Sequence, residues 1–185
     1  MKRIFIANKI ELSESFLNKF EIFSNKCNKY FQINWIKKEN IHLTVKFIGE
    51  INDEVLLKIE KKLDDKHKSF ESFESKINKI GIFGSKYNPK IVWMGLDNEE
   101  KFKELHYNIE NTLFKFKGNE QPFVPHITLG RIKYIDDKKL FHQFFDEFKE
   151  IELNEKPFLI NKFHIFESEL TKNGPIYTII KTYNF

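Results

Sequence analysis

Short stretches in which hydrophobic residues recur at every second position alternate along this chain with longer ones whose period is near 3.6, the respective signatures of strands and amphipathic helices. Arg3 to Ala7 reads as a strand. A helix follows from about Ser13 to Tyr30, with Ser13 at its N-cap. Ile41 to Ile48 returns to strand, and Gly49 is expected to end it. Asn52 then caps a helix whose Val55, Leu56, Ile59 and Leu63 share one face. Phe73 to Ile80 alternates imperfectly and is read as a further strand.

The same order recurs. Ile91 to Leu96 is a strand, Asn98 a cap, and Phe102, Leu105, Ile109 and Leu113 the apolar face of a helix. His126 to Ile132 is a strand, and a helix follows through Leu140, Phe144 and Phe148. Phe158 to Glu167 and Ile176 to Tyr183 are rich in aromatic and β-branched residues, and Thr171-Lys172-Asn173-Gly174-Pro175 between them is a hairpin signal. Phe5 and Trp93 lie 88 residues apart, His42 and His126 84, and Phe73 and Phe158 85. Such steady offsets predict an internal duplication: a single bilobal α+β domain over 1–185, with copies at about 1–83 and 91–185 and the loop Gly84 to Lys90 crossing between them. Each copy would supply half of a sheet-lined cleft.

Composition narrows the class. At 41% hydrophobic and 31% charged residues the chain is not wholly disordered, and 185 residues suffice for one core. Its 21 Phe residues are read as core filling. A net charge of +4 is compatible with a polyanion and equally with a small phosphate-bearing substrate. Cys27 alone cannot form an intramolecular disulfide, the start MKRIFIANKI lacks a signal-peptide apolar run, and no stretch is long enough to span a membrane. Cytoplasmic residence, with no membrane partner, is the default expectation.

The chemistry centres on two His-x-Thr triplets. A chain with six His and six Thr is expected to hold about 0.2 such triplets by chance; this one has two, at matching places in the two copies. Strict strand alternation turns His42, Thr44 and Lys46 to one face and Ile41, Leu43, Val45 and Phe47 to the other. His126 and Thr128 likewise share a face, whereas Arg131 is out of phase and joins them only if Gly130 permits a bulge or the strand ends there. Imidazole titrates near neutral pH, so two histidines flanking one phosphorus can divide general-acid and general-base work. Thr44 and Thr128 can hydrogen-bond non-bridging phosphate oxygens, and Lys46 and Arg131 can add positive charge there.

Two histidines without a repeat-related carboxylate or thiol fall short of a catalytic zinc site, so neither a metal nor another cofactor is expected. Gly81 and Gly84 lack the spacing of a phosphate loop. His67, His106, His142 and His164 are read as structural or solvated. Phe5, Phe83 and Trp93 are read as strand core, with base stacking as the alternative. Tyr177 either borders the cleft or buries its ring.

His42-Leu43-Thr44-Val45-Lys46-Phe47-Ile48-Gly49, Pro125-His126-Ile127-Thr128-Leu129-Gly130-Arg131, Phe166-Glu167-Ser168 and Pro175-Ile176-Tyr177-Thr178 resemble the 2H phosphoesterase superfamily, and within it the bacterial and archaeal RNA 2',3'-cyclic phosphodiesterases, also known as 2'-5' RNA ligases. The similarity spans the chain, including Arg3 to Ala7 and Val92 to Gly95. It implies a bilobal 2H phosphoesterase (LigT-like) fold, with two pseudo-symmetric antiparallel sheets lining a central cleft and helices outside. It also implies metal-independent opening of RNA 2',3'-cyclic phosphate ends to 2'-phosphates, in some relatives with reversible 2'-5' ligation. By this analogy His42 is the general acid toward the 3' oxygen and His126 the base for water, although the residues themselves leave the two roles exchangeable. The partner implied is an RNA with a cyclic phosphate end or a small cyclic nucleotide, and no obligate protein partner. Two alternatives stay open: a relative acting on another small cyclic phosphate, and a non-catalytic RNA-binding module of the same fold.

Overall fold

Three of the four described α-helices begin as capping chemistry dictates. Ser13, Asn52 and Asp137 accept hydrogen bonds from the backbone N–H of Phe16, Val55 and Leu140, satisfying donors that the first turn leaves free. Asn98 departs from expectation. It occupies the cap position but sits in the left-handed region, and its side chain makes no capping bond. Its Nδ2 donates instead to the Glu74 carbonyl, tying the helix start to a neighbouring strand.

The computed structural model describes residues 1–116, 122–150, 153, 156–172 and 174–185. Its order is β1 (Lys2–Lys9), α1 (Glu14–Cys27), β2 (Phe31–Trp35), β3 (His42–Ile51), α2 (Asp53–Lys66), β4 (Phe73–Ser75), β5 (Ile77–Ser85), β6 (Asn88–Leu96), α3 (Glu99–Thr112), β7 (Ile127–Ile135), α4 (Lys138–Lys149), β8 (Phe158–Ile160), β9 (Lys162–Thr171) and β10 (Gly174–Asn184). One antiparallel path runs β10-β9-β1-β3-β7-β6-β5, with β2 also paired to β7, and β4 and β8 form a separate ribbon. The four-stranded group β10-β9-β1-β3 meets the group around β7 at one residue pair, Leu43 and Ile127.

Several expectations are corrected. The Gly84–Lys90 segment is not a crossover loop: β5 and β6 pair down to Ser85 and Asn88, and the chain reverses through Lys86 and Tyr87. Gly84 has φ +109°, a conformation open to glycine, which explains its place beside the turn. The strand expected over 73–80 breaks at Lys76, so that β4 pairs with β8 while β5 pairs with β6. The one expected over 158–167 breaks in the same way at Asn161. β3 runs past Gly49 to Ile51. Strand β2 was not anticipated, because five residues with two buried positions, Phe31 and Ile33, are too few to stand out after a long helix. The C-terminal hairpin forms with Thr171 paired to Gly174; Asn173 lies outside the described residues.

The helices cover one face of the sheet. Phe16, Phe20 and Phe23 of α1 meet Phe148 of α4, Phe23 and Phe148 stacking at 3.9 Å between centroids. Leu56, Ile59 and Leu63 of α2 and Phe102, Leu105 and Ile109 of α3 complete this layer over Ile4, Ile6, Leu43, Val92, Met94, Ile127 and Leu129. Each such side chain contributes about 1.5–3 kcal/mol on burial. The opposite face carries a separate small cluster, Phe5, Ala7 and Phe166, bordered by Phe47 and Tyr177.

Candidate active site

Leu43 and Ile127 are both wholly buried beneath the sheet. Adjacent residues of a strand point to opposite faces, so His42, Thr44, His126 and Thr128 all emerge on the helix-free side. In this antiparallel register His42 stands across from Thr128, and Thr44 across from His126. The four side chains thus form a square on one face, where the His126 charge acts on His42.

Both rings are held alike. His42 Nδ1–H donates to the Asn40 carbonyl at 2.6 Å, and His126 Nδ1–H donates to the Val124 carbonyl at 2.7 Å. A carbonyl can only accept, so Nδ1 carries the proton of the neutral ring and Nε2 keeps its lone pair for chemistry. Asn40 is itself anchored, its Nδ2 donating to the Pro175 carbonyl on β10 at 3.0 Å. The His42 ring packs against Phe5 and Tyr177, each at 5.2 Å. His126 meets the edge of Phe83 at 4.9 Å, and Phe83 stacks on Trp93 at 4.7 Å. Gly81 makes that stack feasible, since a Cβ there would lie 2.4 Å from Trp93 Cζ2.

Burial lowers the pKa of His42; its bond to Asn40 opposes this, and the positive charges of Arg131 and of a protonated His126 lower it further. Burial likewise lowers His126, opposed by Val124 and reinforced by Arg131. Both rings are therefore mainly neutral near pH 7 in the free protein.

The conditional expectation for Arg131 is resolved by register. Thr128 pairs with Trp93 but Gly130 with Val92, so Leu129 is an extra residue that shifts the phase of β7. Arg131 pairs with Ile91 and so shares a face with Thr128. A Cβ on Gly130 would lie 2.5 Å from Trp35 Cε3, so the glycine lets β2 close against the bulge from below.

Lys46 is a correction. Ala7 pairs with Thr44 and Ile6 with Lys46, which makes Val45 the extra residue of a matching bulge on β3. The shift turns Lys46 to the helix side, where its side chain is 2% exposed and its Nζ lies 2.5 Å from Glu110 of α3. Phe47 takes the cleft position instead. Alternation alone could not reveal this, because a bulge leaves no mark in the hydrophobic pattern.

Two further groups belong to this face. The Arg3 guanidinium sits 5.0 Å over the Phe47 ring. Burial raises the Tyr177 phenol, and both Arg131 and Arg3 counter that rise, so Tyr177 stands within the field of both cations. Arg3 shares a strand face with Phe5 and Ala7 by simple alternation, a signal that could have found it; Tyr177 needed the hairpin to bring it in. The other histidines have local partners: His67 Nδ1–H donates to the Leu63 carbonyl, His106 Nδ1–H to that of Val45, and His142 Nε2–H to that of Lys86, while His164 Nδ1 bonds Thr182 Oγ1. Among the described residues no three His, Cys, Asp or Glu side chains converge, and no helix is long and apolar enough to cross a membrane.

This architecture, with two antiparallel half-sheets meeting at paired His-x-Thr strands, is that of a two-histidine phosphoesterase. The family model for LigT-like phosphoesterases matches residues 17–93 and 95–177, and the chain belongs to that family. It is 34% identical over 182 residues to an RNA 2',3'-cyclic phosphodiesterase of Methanocaldococcus jannaschii, covering 97% of this chain and 98% of the relative. It is also 34% identical over 166 residues to one of Thermotoga maritima, covering 86% and 83%. Among solved structures, TT0787 of Thermus thermophilus superposes with a TM-score of 0.71 at 22% identity, covering 98% of this chain and 97% of that one. LigT of E. coli complexed with 3'-AMP gives 0.66 at 17% identity, covering 100% and 98%.

Proposed function

We propose that the protein hydrolyses RNA 2',3'-cyclic phosphate ends to 2'-phosphates by acid–base catalysis between His42 and His126. The observation that carries this reading is the matched tethering of both Nδ1 atoms to backbone carbonyls, which leaves two Nε2 atoms free on one face. One Nε2 takes a proton from water as the water oxygen bonds to phosphorus; the other gives a proton to the departing ribose 3' oxygen. His126 is assigned as base and His42 as acid. The substrate's negative charge favours protonation of the ring that acts as acid, offsetting the burial that lowers it in the free protein. Thr44 and Thr128 donate to the non-bridging oxygens, and Arg131 balances their charge. Neither metal nor cofactor takes part in this scheme, and the protein works in the cytoplasm.

Relatives that carry the RNA 2',3'-cyclic phosphodiesterase name support the substrate class, and the complex of E. coli LigT with 3'-AMP supports a nucleotide ligand. We further read the chain as one bilobal domain of two copies. α1 and α3, α2 and α4, β4 and β8, and β5 and β9 all begin 85 residues apart, and β5 and β9 each pair with the first strand of the other copy. The test is incubation with an RNA ending in a 2',3'-cyclic phosphate, in EDTA, and identification of the end formed. A 2'-phosphate is expected. A 3'-phosphate reverses the leaving-group assignment, and no reaction overturns the reading.

A further inference from the structure

The two bulges are stabilised by different means. On β7 the carbonyl of the extra residue, Leu129, accepts from the backbone N–H of Ile36, just past β2, at 2.8 Å. On β3 the carbonyl of the matching residue, Val45, accepts from His106 Nδ1–H of α3 at 2.7 Å. Beyond Leu43 no described strand pairs with that edge of β3, so a side chain supplies the donor that a backbone supplies on β7. One helical turn further on, Glu110 takes the Lys46 Nζ that the bulge has turned inward. The other contact of His106 reaches the second motif: its ring lies flat on Phe123 at 4.2 Å and 8°. Phe123 precedes Val124, whose carbonyl orients His126.

We propose that His106 is a positioning residue of the active site, locking the β3 bulge so that Thr44 and Phe47 face the cleft. The inference rests on the phosphodiesterase reading for its kinetic readout only. Without the His106 donor, the Val45 carbonyl loses its side-chain partner and the bulge can relax toward regular pairing. That change would rotate Lys46 toward the cleft and carry Thr44 off the phosphate. A displacement of this kind lowers turnover more than it weakens binding.

The discriminating variants are His106→Ala, His106→Asn and His106→Gln. The Asn amide nitrogen stands at the same remove from Cβ as Nδ1 and can donate to Val45; the Gln amide is one bond too far. Expected are a kcat lowered about 10- to 100-fold in His106→Ala and His106→Gln with KM changed less than about twofold, and His106→Asn within about threefold of the parent. Backbone amide resonances of residues 44–47 should shift in the Ala and Gln variants and hold in Asn. Should His106→Ala fail to fold, the comparison of Asn with Gln decides. Parent-like kcat in His106→Ala, or rescue by Gln equal to that by Asn, overturns the proposal. A parent protein inert toward the RNA overturns the proposed function instead, and the amide shifts still test the bulge.

Discussion

Leu43 and Ile127 face each other across the two His-x-Thr strands and are both wholly buried, so the residues on either side of each are driven together onto the opposite face. Hydrophobic packing beneath the sheet thereby sets the register of the polar square above it. A one-residue slip of either strand would turn that strand's histidine toward the core.

Replacing either histidine should disable chemistry without unfolding the protein. His42→Ala and His126→Ala are each expected to lose about 10²- to 10⁴-fold in kcat with cyclic-phosphate RNA. The double variant should fall little below the singles, since the two groups act as a unit. Full activity in both single variants would remove the mechanism.

The pH profile of kcat/KM reports the free protein, where burial and Arg131 lower both rings. The bell is expected to sit on the acid side of the ordinary histidine value of about 6.5. Arg131→Gln removes a positive charge that opposes protonation of each ring, so both limbs should move to higher pH while KM rises. An unmoved profile would show that Arg131 does not address the rings.

The same shifts link to stability. The unfolded chain binds protons at the ordinary histidine value while the native rings resist them, so stability is full above about pH 6.5 and declines as pH falls toward the lowered native values. Urea midpoints of the parent should therefore drop between pH 7.5 and 5.5 by more than those of a His42→Asn/His126→Asn variant. Equal drops would place the acid sensitivity elsewhere.

Lys46 offers a direct test of its corrected place. Glu110→Ala strands a buried ammonium and should cost about 3 kcal/mol or less, because Glu110 is partly exposed and water can reach the pair. Lys46→Met should be far milder in stability and should leave KM for RNA within about twofold, whereas loss of a phosphate ligand would raise it. Denaturant melts and steady-state kinetics separate the two.

Gly130→Ala should perturb the site from below. Its Cβ would press into the Trp35 ring, and such overpacking costs about 1–3 kcal/mol. Because Thr128 and Arg131 flank the position, kcat should fall as well; a parent-like midpoint and rate would mean that β2 yields freely.

The two-residue rhythm of His42 with Thr44 and of His126 with Thr128 was legible because alternation in a strand follows from backbone geometry alone. Capping at Ser13 and Asn52 was legible for the same local reason. The β5–β6 turn was misread, since Asn88 and Pro89 mark a loop whether or not flanking residues pair. β2 was invisible, its stability coming from β7 and from the α1 and α4 aromatics around it rather than from its five residues.

By itself, then, the amino-acid sequence determined the four long helices, most of the strands, the recurrence of the two triplets at matching positions, and the face on which each histidine and threonine stands. Tertiary structure decided which cations join them. The extra residues at Val45 and Leu129 reverse the phase of the residues that follow them directly, sending Lys46 to Glu110 and bringing Arg131 to the cleft. A bulge arises where long-range packing and partner strands favour it over regular pairing, and that balance involves Trp35 at the β7 bulge and His106 and Glu110 at the β3 bulge, each distant in the chain from the bulge it supports.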